Sequence, residues 1–349
     1  MLAQTARNAG FKPLVIDLFG DLDTRVYAEH CLRIASLVKV DLQSAVEWLL
    51  ANYVVEFAVY GSGFEQNIDS LAYLSEQMLV IGNQSEVFSR VQNKSAFFTL
   101  LQTLQIPHPE VAFGKPENAT DWLIKPMRGQ GGIGISRYSE SDQITSDRYW
   151  QKYQQGEPHS VLFLADGKQC QIVGFNRQWS IALNAKDEFI FSGVLNDTDL
   201  TTEHKTQLAL WSAQLVAELS LKGLNSLDFI YDGQNCYVLE INPRPPASMQ
   251  LYEADLFYRH LKACKGVLLA ADLTQLGVTG LQIIYAKCNL QIPHGFPWPE
   301  GTYDIPEAGS IIGAEQPICS MIAHQQDSAS VMMLLTRQQE FITYQLDRV

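Results

Sequence analysis

The sequence is short of positive charge. It contains 25 Lys and Arg residues against 38 Asp and Glu residues, which gives a formal net charge of −13 at pH 7. Because binding to nucleic acid or to an anionic membrane surface needs a basic face, we expect no nucleic-acid and no membrane partner. A small anionic ligand is still allowed, since one pocket can be basic inside an acidic protein.

Long apolar runs are also absent. No stretch approaches the roughly 20 consecutive apolar residues that cross a bilayer, although apolar residues make up 46% of the chain. The first seven residues, MLAQTAR, lack the apolar core of a secretory signal. We therefore expect a cytoplasmic protein, and its 349 residues are enough for two or three domains with large cores.

The six cysteines are scattered, with no Cys-x-x-Cys pair and no histidine at zinc-finger spacing. This pattern argues against a zinc or disulfide framework and favours small buried apolar residues. The seven histidines show no order typical of a Ser–His–Asp or Cys–His triad. Nucleophilic triad chemistry therefore has no support in the sequence.

The first predicted domain covers residues 1–87. Short apolar runs, at 13–19 and 54–60, alternate with helical patterns, such as the one over 25–38. This alternation predicts an open α/β, Rossmann-like domain. Because residues 3–9 already have a helical pattern, the first strand of such a domain is expected to be missing.

Two further domains are predicted. Residues 88–265 have mostly strand patterns, interrupted by a long helical pattern over 202–221, which predicts an α+β domain. Residues 266–349 are predicted to form a small β-rich region, with short strands over 280–286 and 330–336.

A predicted β-hairpin ending at residue 242 carries the strongest chemical signal. Glu240 and Asn242 are two apart, so they share one face of a strand. A three-residue loop over 233–235 would place Asp228 opposite Glu240, whereas a two-residue loop would turn Asp228 to the other face. We expect the three-residue loop, because Asn235 tolerates the left-handed backbone that it needs. Two carboxylates and an amide oxygen on one face suit Mg²⁺ or Mn²⁺.

Two other segments carry groups that suit phosphate. Arg244 is left at the end of the strand by Pro243, where a guanidinium can hold a phosphate or a developing oxyanion. Lys125 ends a predicted strand and is followed by the glycine-rich turn 129–134, whose backbone N–H groups can approach phosphate oxygens. The turn is neither a Walker A loop nor a dinucleotide fingerprint, because no Gly-Lys-Ser/Thr and no helix follows.

A second glycine-containing turn follows the strand predicted over 54–60. The segment Gly61-Ser62-Gly63-Phe64-Glu65 has the spacing of no phosphate fingerprint, so strand-end geometry is its first interpretation. A role in binding the second substrate is the alternative, because ligands favour the carboxyl ends of strands in open α/β sheets.

The ordered set of motifs resembles the ATP-grasp superfamily over about residues 85–262. The resemblance is carried by Lys94, then Ile124-Lys125-Pro126 with its glycine turn, then Leu227-Asp228-Phe229, and finally Glu240-Ile241-Asn242-Pro243-Arg244. It implies a two-lobed fold that holds ATP, preceded by an α/β domain. It also implies a ligase that phosphorylates a carboxylate and lets an amine displace the phosphate. The carboxy-terminal segment resembles uncharacterised carboligases related to biotin carboxylase, and similar proteins found with one-carbon cofactor genes suggest cofactor biosynthesis.

Site roles follow from the same resemblance. The implied catalytic residues are Arg244 and Lys125, and the implied Mg²⁺ ligands are Asp228, Glu240 and Asn242. The implied ATP contacts are Lys94, Lys125, Gly129, Gln130, Gly131, Gly132, the adenine hinge Gln151, Lys152 and Tyr153, and Glu157 at the ribose. Two positions depart from the pattern: Gln151 stands where many relatives have an acid, and Ser226 stands where some ligases have an arginine.

Three functions are therefore carried forward. The first is a MgATP-dependent carboxylate–amine ligase with two small-molecule substrates. The second is an ATP-dependent carboxylase that activates bicarbonate, and the third is a non-catalytic ATP-binding sensor or scaffold. The sequence leaves the substrates open, and it leaves room for a homo-oligomer.

Overall fold

The structure is a computed structural model that describes residues 1–139, 145–252, 255–270 and 277–347. The parts of the second and third predicted domains that fall between or after these ranges lie outside the described residues. Within the described ranges, no helix combines the length and the apolar character needed to cross a membrane.

The N-terminal segment alternates helices with short strands. Its elements are α1 (Leu2–Asn8), β1 (Leu14–Asp17), α2 (Leu22–Tyr27), β2 (His30–Arg33), α3 (Lys39–Asn52), α4 (Ile68–Gln77) and α5 (Ser85–Gln92). Strands β1 and β2 pair in parallel, with Leu14 opposite His30. A single parallel bridge joins Ala58 to Val80, so the strand predicted over 54–60 is reduced to one pair. The helical start is confirmed, while the Rossmann-like assignment stays a prediction.

The helix predicted over 25–38 is wrong. Helix α2 ends at Tyr27 because Ala28 is extended, and β2 then runs beside β1. Pairing with a neighbouring strand outweighs the local helical pattern here, as tertiary contacts commonly do.

The central segment forms two antiparallel sheets. It contains α6 (Lys94–Thr103), β3 (Val111–Ala112), β4 (Trp122–Pro126), β5 (Ser136–Arg137), β6 (Arg148–Lys152), β7 (Glu157–Asp166), β8 (Cys170–Ile181), β9 (Ile190–Leu195), α7 (Thr202–Leu219), β10 (Lys222–Tyr231), β11 (Cys236–Asn242), a 3-10 helix (Ala247–Leu251) and α8 (Leu256–Cys264). The smaller sheet has the order β3-β6-β4-β5. Strand β4 of this sheet carries Lys125, and β6 carries Gln151.

The C-terminal segment continues the larger sheet. Its elements are β12 (Val278–Tyr285), β13 (Leu290–Gln291), β14 (Thr302–Tyr303), β15 (Ile311–Ile312), β16 (Pro317–Gln325) and α9 (Ser328–Leu346). The eight strands have the order β11-β10-β7-β8-β9-β12-β16-β14, so three C-terminal strands extend the central sheet.

The strand predicted over 330–336 is wrong, because these residues lie inside α9. The Asp327 carboxylate accepts a hydrogen bond from the Ser330 N–H at 2.8 Å and caps the helix. A short apolar run cannot be assigned to strand or helix by periodicity alone.

Both faces of the larger sheet are buried around β7. Val161, Phe163 and Phe229 belong to the core cluster that includes residues of α6 and α7, while Leu162 and Leu164 pack in a cluster that includes residues of α8. Burial on both faces explains why β7 is apolar without alternation. The hairpin of β10 and β11 lies at one edge of this sheet, and the candidate site is built there.

Candidate active site

The hairpin places Asp228 opposite Glu240, as predicted. The predicted route to this pair is wrong, because the loop between Tyr231 and Cys236 has four residues, 232–235, instead of three. A regular ladder closed by such a loop would put Asp228 on the other face of the strand pair, away from the side that Glu240 occupies.

The longer loop is stabilised by its first residue. The Asp232 carboxylate accepts hydrogen bonds from the Gln234 N–H at 2.9 Å and from the Asn235 N–H at 2.7 Å. The Asp232 N–H also donates to the Asn235 carbonyl at 3.1 Å, and Tyr231 is the residue that pairs with Cys236.

A β-bulge then restores the facing pair. Phe229 is opposite Val238, and the next pair is Asp228 with Glu240, so Leu239 is the extra residue. In a regular strand Val238 and Glu240 would share a face. Instead Val238 is fully buried in the core, whereas Glu240 lines a cavity on the other side. The bulge therefore lets Val238 point into the core while Glu240 points to the cavity on the other face of β11.

Two lysines from different elements approach Glu240. Lys94, the first residue of α6, is 3% exposed, and its Nζ lies 3.2 Å from Glu240 Oε2. Lys125 is on β4, and its Nζ donates to Gln151 Oε1 at 2.7 Å. Burial lowers the pKa of Lys125 to about 8, and the charge of Glu240 opposes that shift. Burial raises the pKa of Glu240, but Lys94 and Lys125 outweigh it, so the net shift is downward.

Asp228 has one carboxylate oxygen engaged and one without a partner. Its Oδ2 accepts from Asn242 Nδ2 at 2.9 Å, while Oδ1 is buried with no hydrogen-bond partner among the described residues. Burial, together with the charge of Glu240, raises the pKa of Asp228 to about 7. A buried carboxylate oxygen without a donor is costly, and a bound cation would relieve that cost.

The residues present therefore fit Mg²⁺, which prefers hard oxygen ligands. The fit rests on two carboxylates and one amide, since the described part of the chain has no group of three or more His, Cys, Asp or Glu side chains that could hold a metal ion. Asn242 turns its Nδ2 toward Asp228 and also donates to Ser226 Oγ at 3.2 Å. Its amide would have to rotate to offer Oδ1 to an ion beside Asp228.

Arg244 pairs with a residue that sequence reasoning did not assign to it. Its Nε donates to Glu65 Oε1, and its Nη2 donates to Asn242 Oδ1 at 3.4 Å. Glu65 is 1% exposed and comes from the glycine-containing turn of the N-terminal segment. An acid directly after a glycine-containing turn, at the end of a predicted strand, was the signal available in the sequence.

The N-terminal segment also contacts the backbone beside Arg244. Asn83 Nδ2 donates to the Pro243 carbonyl at 3.0 Å and to Asn225 Oδ1 at 2.8 Å. The Tyr60 hydroxyl donates to the Asn83 carbonyl at 2.5 Å. These buried contacts fix the end of β11 against the first segment of the chain, and sequence reasoning missed them.

The glycine-rich turn covers the lysines and Glu240. The Gly131 carbonyl accepts from the Phe191 N–H at 2.9 Å, and the Gly134 N–H donates to Asp187 Oδ1 at 2.8 Å. Gly132 needs to be glycine, because its φ is +83° and an added Cβ would lie 1.9 Å from the Phe189 carbonyl oxygen. The cavity under the turn is lined by Lys94, Lys125, Pro126, Gly129, Gln130, Gly132, Ile133, Ile135, Tyr149 and Glu240.

The predicted adenine hinge includes the end of β6. The backbone N–H groups of Lys152 and Tyr153 already donate to the carbonyls of Glu110 and Asp121, at 2.8 and 2.7 Å. Gln151 is 2% exposed, and its Nε2 has no partner among the described residues. The side-chain amide of Gln151 is therefore a buried donor without a partner at this end of β6, and its predicted role at adenine stays a prediction.

The structure thus brings most of the predicted site residues together, but not all of them. The lysines, the glycine turn, the facing acids, Asn242 and Arg244 are linked by the contacts above. Glu157 is exposed at the start of β7 and is not among the residues that line the cavity. The predicted ribose contact of Glu157 stays a prediction.

The family comparison agrees with this geometry. Residues 91–248 match the family model described as the ATP-grasp domain. The chain contains an ATP-grasp domain. This finding confirms the predicted ATP-grasp domain over residues 91–248.

Solved structures agree over nearly the whole chain. Biotin carboxylase from Campylobacter jejuni is 17% identical with a TM-score of 0.73, and the match covers 95% of this chain and 86% of that one. N5-carboxyaminoimidazole ribonucleotide synthetase from Thermotoga maritima is 14% identical with a TM-score of 0.69, covering 97% and 94%. At these identities the likeness shows the fold alone, a mixed α/β ATP-grasp fold with multi-stranded sheets.

The matches to curated relatives cover a smaller share of both proteins. The arginine-specific carbamoyl phosphate synthase large chain of Bacillus subtilis is 22% identical over 211 residues, which are 54% of this chain and 20% of that protein. An uncharacterised protein of Methanocaldococcus jannaschii is 22% identical over 262 residues, 70% of this chain and 64% of that protein. The chain thus spans about a fifth of the length of the first of these relatives.

Proposed function

We propose that the chain is a MgATP-dependent ligase that activates a carboxylate as an acyl phosphate for attack by an amine. The observation that carries the proposal is the meeting of Lys94 and Lys125 with the facing pair Asp228 and Glu240 under a glycine turn. Paired cations beside paired acids suit a triphosphate that is held together with a divalent metal.

The reaction would have two steps. A carboxylate oxygen attacks the γ-phosphorus of ATP, which gives the acyl phosphate and ADP. The amine nitrogen then attacks the acyl carbon, phosphate leaves, and the amine loses a proton to give the amide. Lysines at the phosphates and Arg244 near the acyl group would offset the negative charge of both steps.

Asp228 and Glu240, with Asn242 after rotation of its amide, would hold Mg²⁺. When bound, the ion would draw charge from the β- and γ-phosphates. The chain's own groups would do the remaining work: the glycine turn would exclude water from the phosphates, and Lys94 would keep Glu240 ionised and oriented.

A specific observation favours a second candidate, an ATP-dependent carboxylase. The biotin carboxylase domain of 2-oxoglutarate carboxylase from Hydrogenobacter thermophilus, with a TM-score of 0.75 at 14% identity, was solved with MgADP and bicarbonate. Bicarbonate would take the place of the carboxylate in the first step. The role in cofactor biosynthesis, the cytoplasmic location and a homo-oligomeric state stay predictions.

ADP release measured against a panel of acids and amines tests the proposal. We expect release that depends on one acid, and hydroxylamine should trap the acyl phosphate as a hydroxamate. Release that depends on bicarbonate alone would favour the carboxylase. Tight MgATP binding without turnover across the panel would overturn both and leave the non-catalytic sensor.

The lowered pKa of Lys125 predicts how nucleotide affinity varies with pH. Below about pH 8 the Lys125 amine is charged and can bind a phosphate, and above it the free protein must take up a proton on binding. MgADP affinity should therefore fall by about tenfold from pH 7 to pH 9. Lys125→Arg should flatten this part of the profile, because a guanidinium stays charged. Calorimetric titration at each pH checks this, and equal affinities at pH 7 and 9 in the native protein would contradict it.

A further inference from the structure

We propose that Glu65 is a positioning residue that orients Arg244 toward the acid substrate, an inference that rests on the proposed ligase function. Glu65 belongs to the N-terminal segment, whereas Arg244 ends the hairpin that carries the candidate metal ligands. The acid-binding half of the site would then depend on a side chain from outside the matched domain, residues 91–248.

The guanidinium of Arg244 is held from one side. Glu65 Oε1 accepts from Nε, and Asn242 Oδ1 accepts from Nη2 at 3.4 Å. Rotation of the Asn242 amide toward a metal ion would end the second contact and leave Glu65 as the acceptor that holds Arg244. No described residue is a partner of Nη1, so three of the five N–H donors, two on Nη1 and one on Nη2, remain for an anion. A guanidinium fixed through Nε can present its other edge to a carboxylate or phosphate with less loss of side-chain entropy.

Glu65 is itself fixed. Its Oε2 accepts from the Gly63 N–H at 2.8 Å, so both carboxylate oxygens are engaged. Gly63 has a φ of +107°, and an added Cβ would lie 2.4 Å from Leu37 Cδ1. Phe64 packs against Tyr60, with ring centroids 5.5 Å apart. The contacts of the turn therefore fix the Glu65 carboxylate independently of its bond to Arg244.

Burial makes the pair sensitive to small changes. The side chains of Glu65 and Arg244 are 1% and 11% exposed. Glutamine at position 65 keeps the shape of glutamate but has one acceptor where two donors, Gly63 N–H and Arg244 Nε, must be met. Its amide nitrogen would face one of these donors, so either Arg244 Nε or the Gly63 N–H that fixes position 65 would lose its acceptor. In both cases the negative charge that holds Arg244 would be gone, and its orientation would be weakened even in a folded protein.

The test compares Glu65→Gln with Glu65→Asp, and takes Glu56→Gln as the control because Glu56 is an exposed acid of the same segment. The readouts are the KM for the acid identified by the panel, or for bicarbonate, and the Kd for MgADP. We expect Glu65→Gln to raise that KM on the order of 10-fold to 100-fold, as small misplacements of a substrate-binding group do. The MgADP Kd should change by less than about threefold.

A structural role alone would give another pattern. Loss of MgADP affinity in parallel with the rise in KM, or an unchanged KM in Glu65→Gln, would overturn the proposal. Glu65→Asp should give an intermediate KM, because it restores charge at a shorter reach. If Glu65→Gln does not fold, Glu65→Asp is compared with the native protein instead. An unchanged KM in Glu65→Asp would then overturn the proposal.

A measurement without turnover separates this proposal from the ligase function. In protein labelled with ¹⁵N-arginine, the Nε–H signal of Arg244, assigned by its absence in Arg244→Lys, should be shifted downfield and protected from exchange. We expect that signal to lose its shift in Glu65→Gln and to keep it in Glu56→Gln. If no acid supports ADP release, the ligase proposal fails, and the signal still decides whether Glu65 orients Arg244.

Discussion

Glu240→Ala is expected to lower ADP formation by about 10³-fold, because the substitution removes several kcal/mol of charge stabilisation from phosphoryl transfer. Glu240 faces Asp228 across the hairpin and lies 3.2 Å from the Lys94 amine. Without it, Asp228 would be the remaining acid for a metal ion. Lys94, which is 3% exposed, would be left as a buried charge without its partner.

Two comparisons isolate the role of the Glu240 charge. Glu240→Gln keeps the shape of the side chain and removes its charge, so it should lose nearly as much turnover as the alanine variant. Glu117→Ala removes an exposed acid elsewhere and should leave turnover unchanged. ADP release is measured with the acid identified by the panel, over a range of Mg²⁺ concentrations. Native turnover in Glu240→Ala would remove the central argument for MgATP chemistry.

The sequence predicted the central segment well and the first segment poorly. Helix α7 and the strands β10 and β11 have clear patterns, so local information predicts that they are present, although the loop between the two strands is longer than predicted. The strand β2 lies inside a pattern that suits a helix, and it forms because β1 is beside it. Such pairing depends on residues distant in the chain and cannot be read from local periodicity.

The candidate site, too, was predicted from the sequence only in part. The residue types at positions 228, 240 and 242 led to the prediction of a metal site, which stays a prediction. The facing arrangement of Asp228 and Glu240 was predicted correctly. The bulge at Leu239 was not predicted, because a shift of register depends on how two strands and the core behind them fit together. The contact of Arg244 with Glu65 joins residues 179 positions apart, so it could not be predicted from the spacing of motifs in the sequence.

Gly132→Ala is expected to weaken MgADP binding on the order of 10²-fold, which Gly131→Ala should not do. Both glycines have positive φ, at +83° and +63°, so each alanine variant meets backbone strain of about 1–2 kcal/mol. They differ in their surroundings. A Cβ at Gly132 would lie 1.9 Å from the carbonyl oxygen of Phe189 and 2.7 Å from its carbon, whereas a Cβ at Gly131 would meet nothing within 4 Å.

The difference between the two alanine variants therefore measures how far nucleotide binding depends on docking of the glycine turn against Phe189. Neither backbone atom of Phe189 can move without disturbing β9, so in Gly132→Ala the turn itself has to lift. A lifted turn no longer covers Lys125, and the phosphates stay exposed to water. Calorimetric titration with MgADP gives the two affinities, and proteolysis of the turn should be faster in Gly132→Ala than in Gly131→Ala. Equal losses of affinity in the two variants would mean that backbone strain explains both, and that contact with Phe189 contributes nothing to binding.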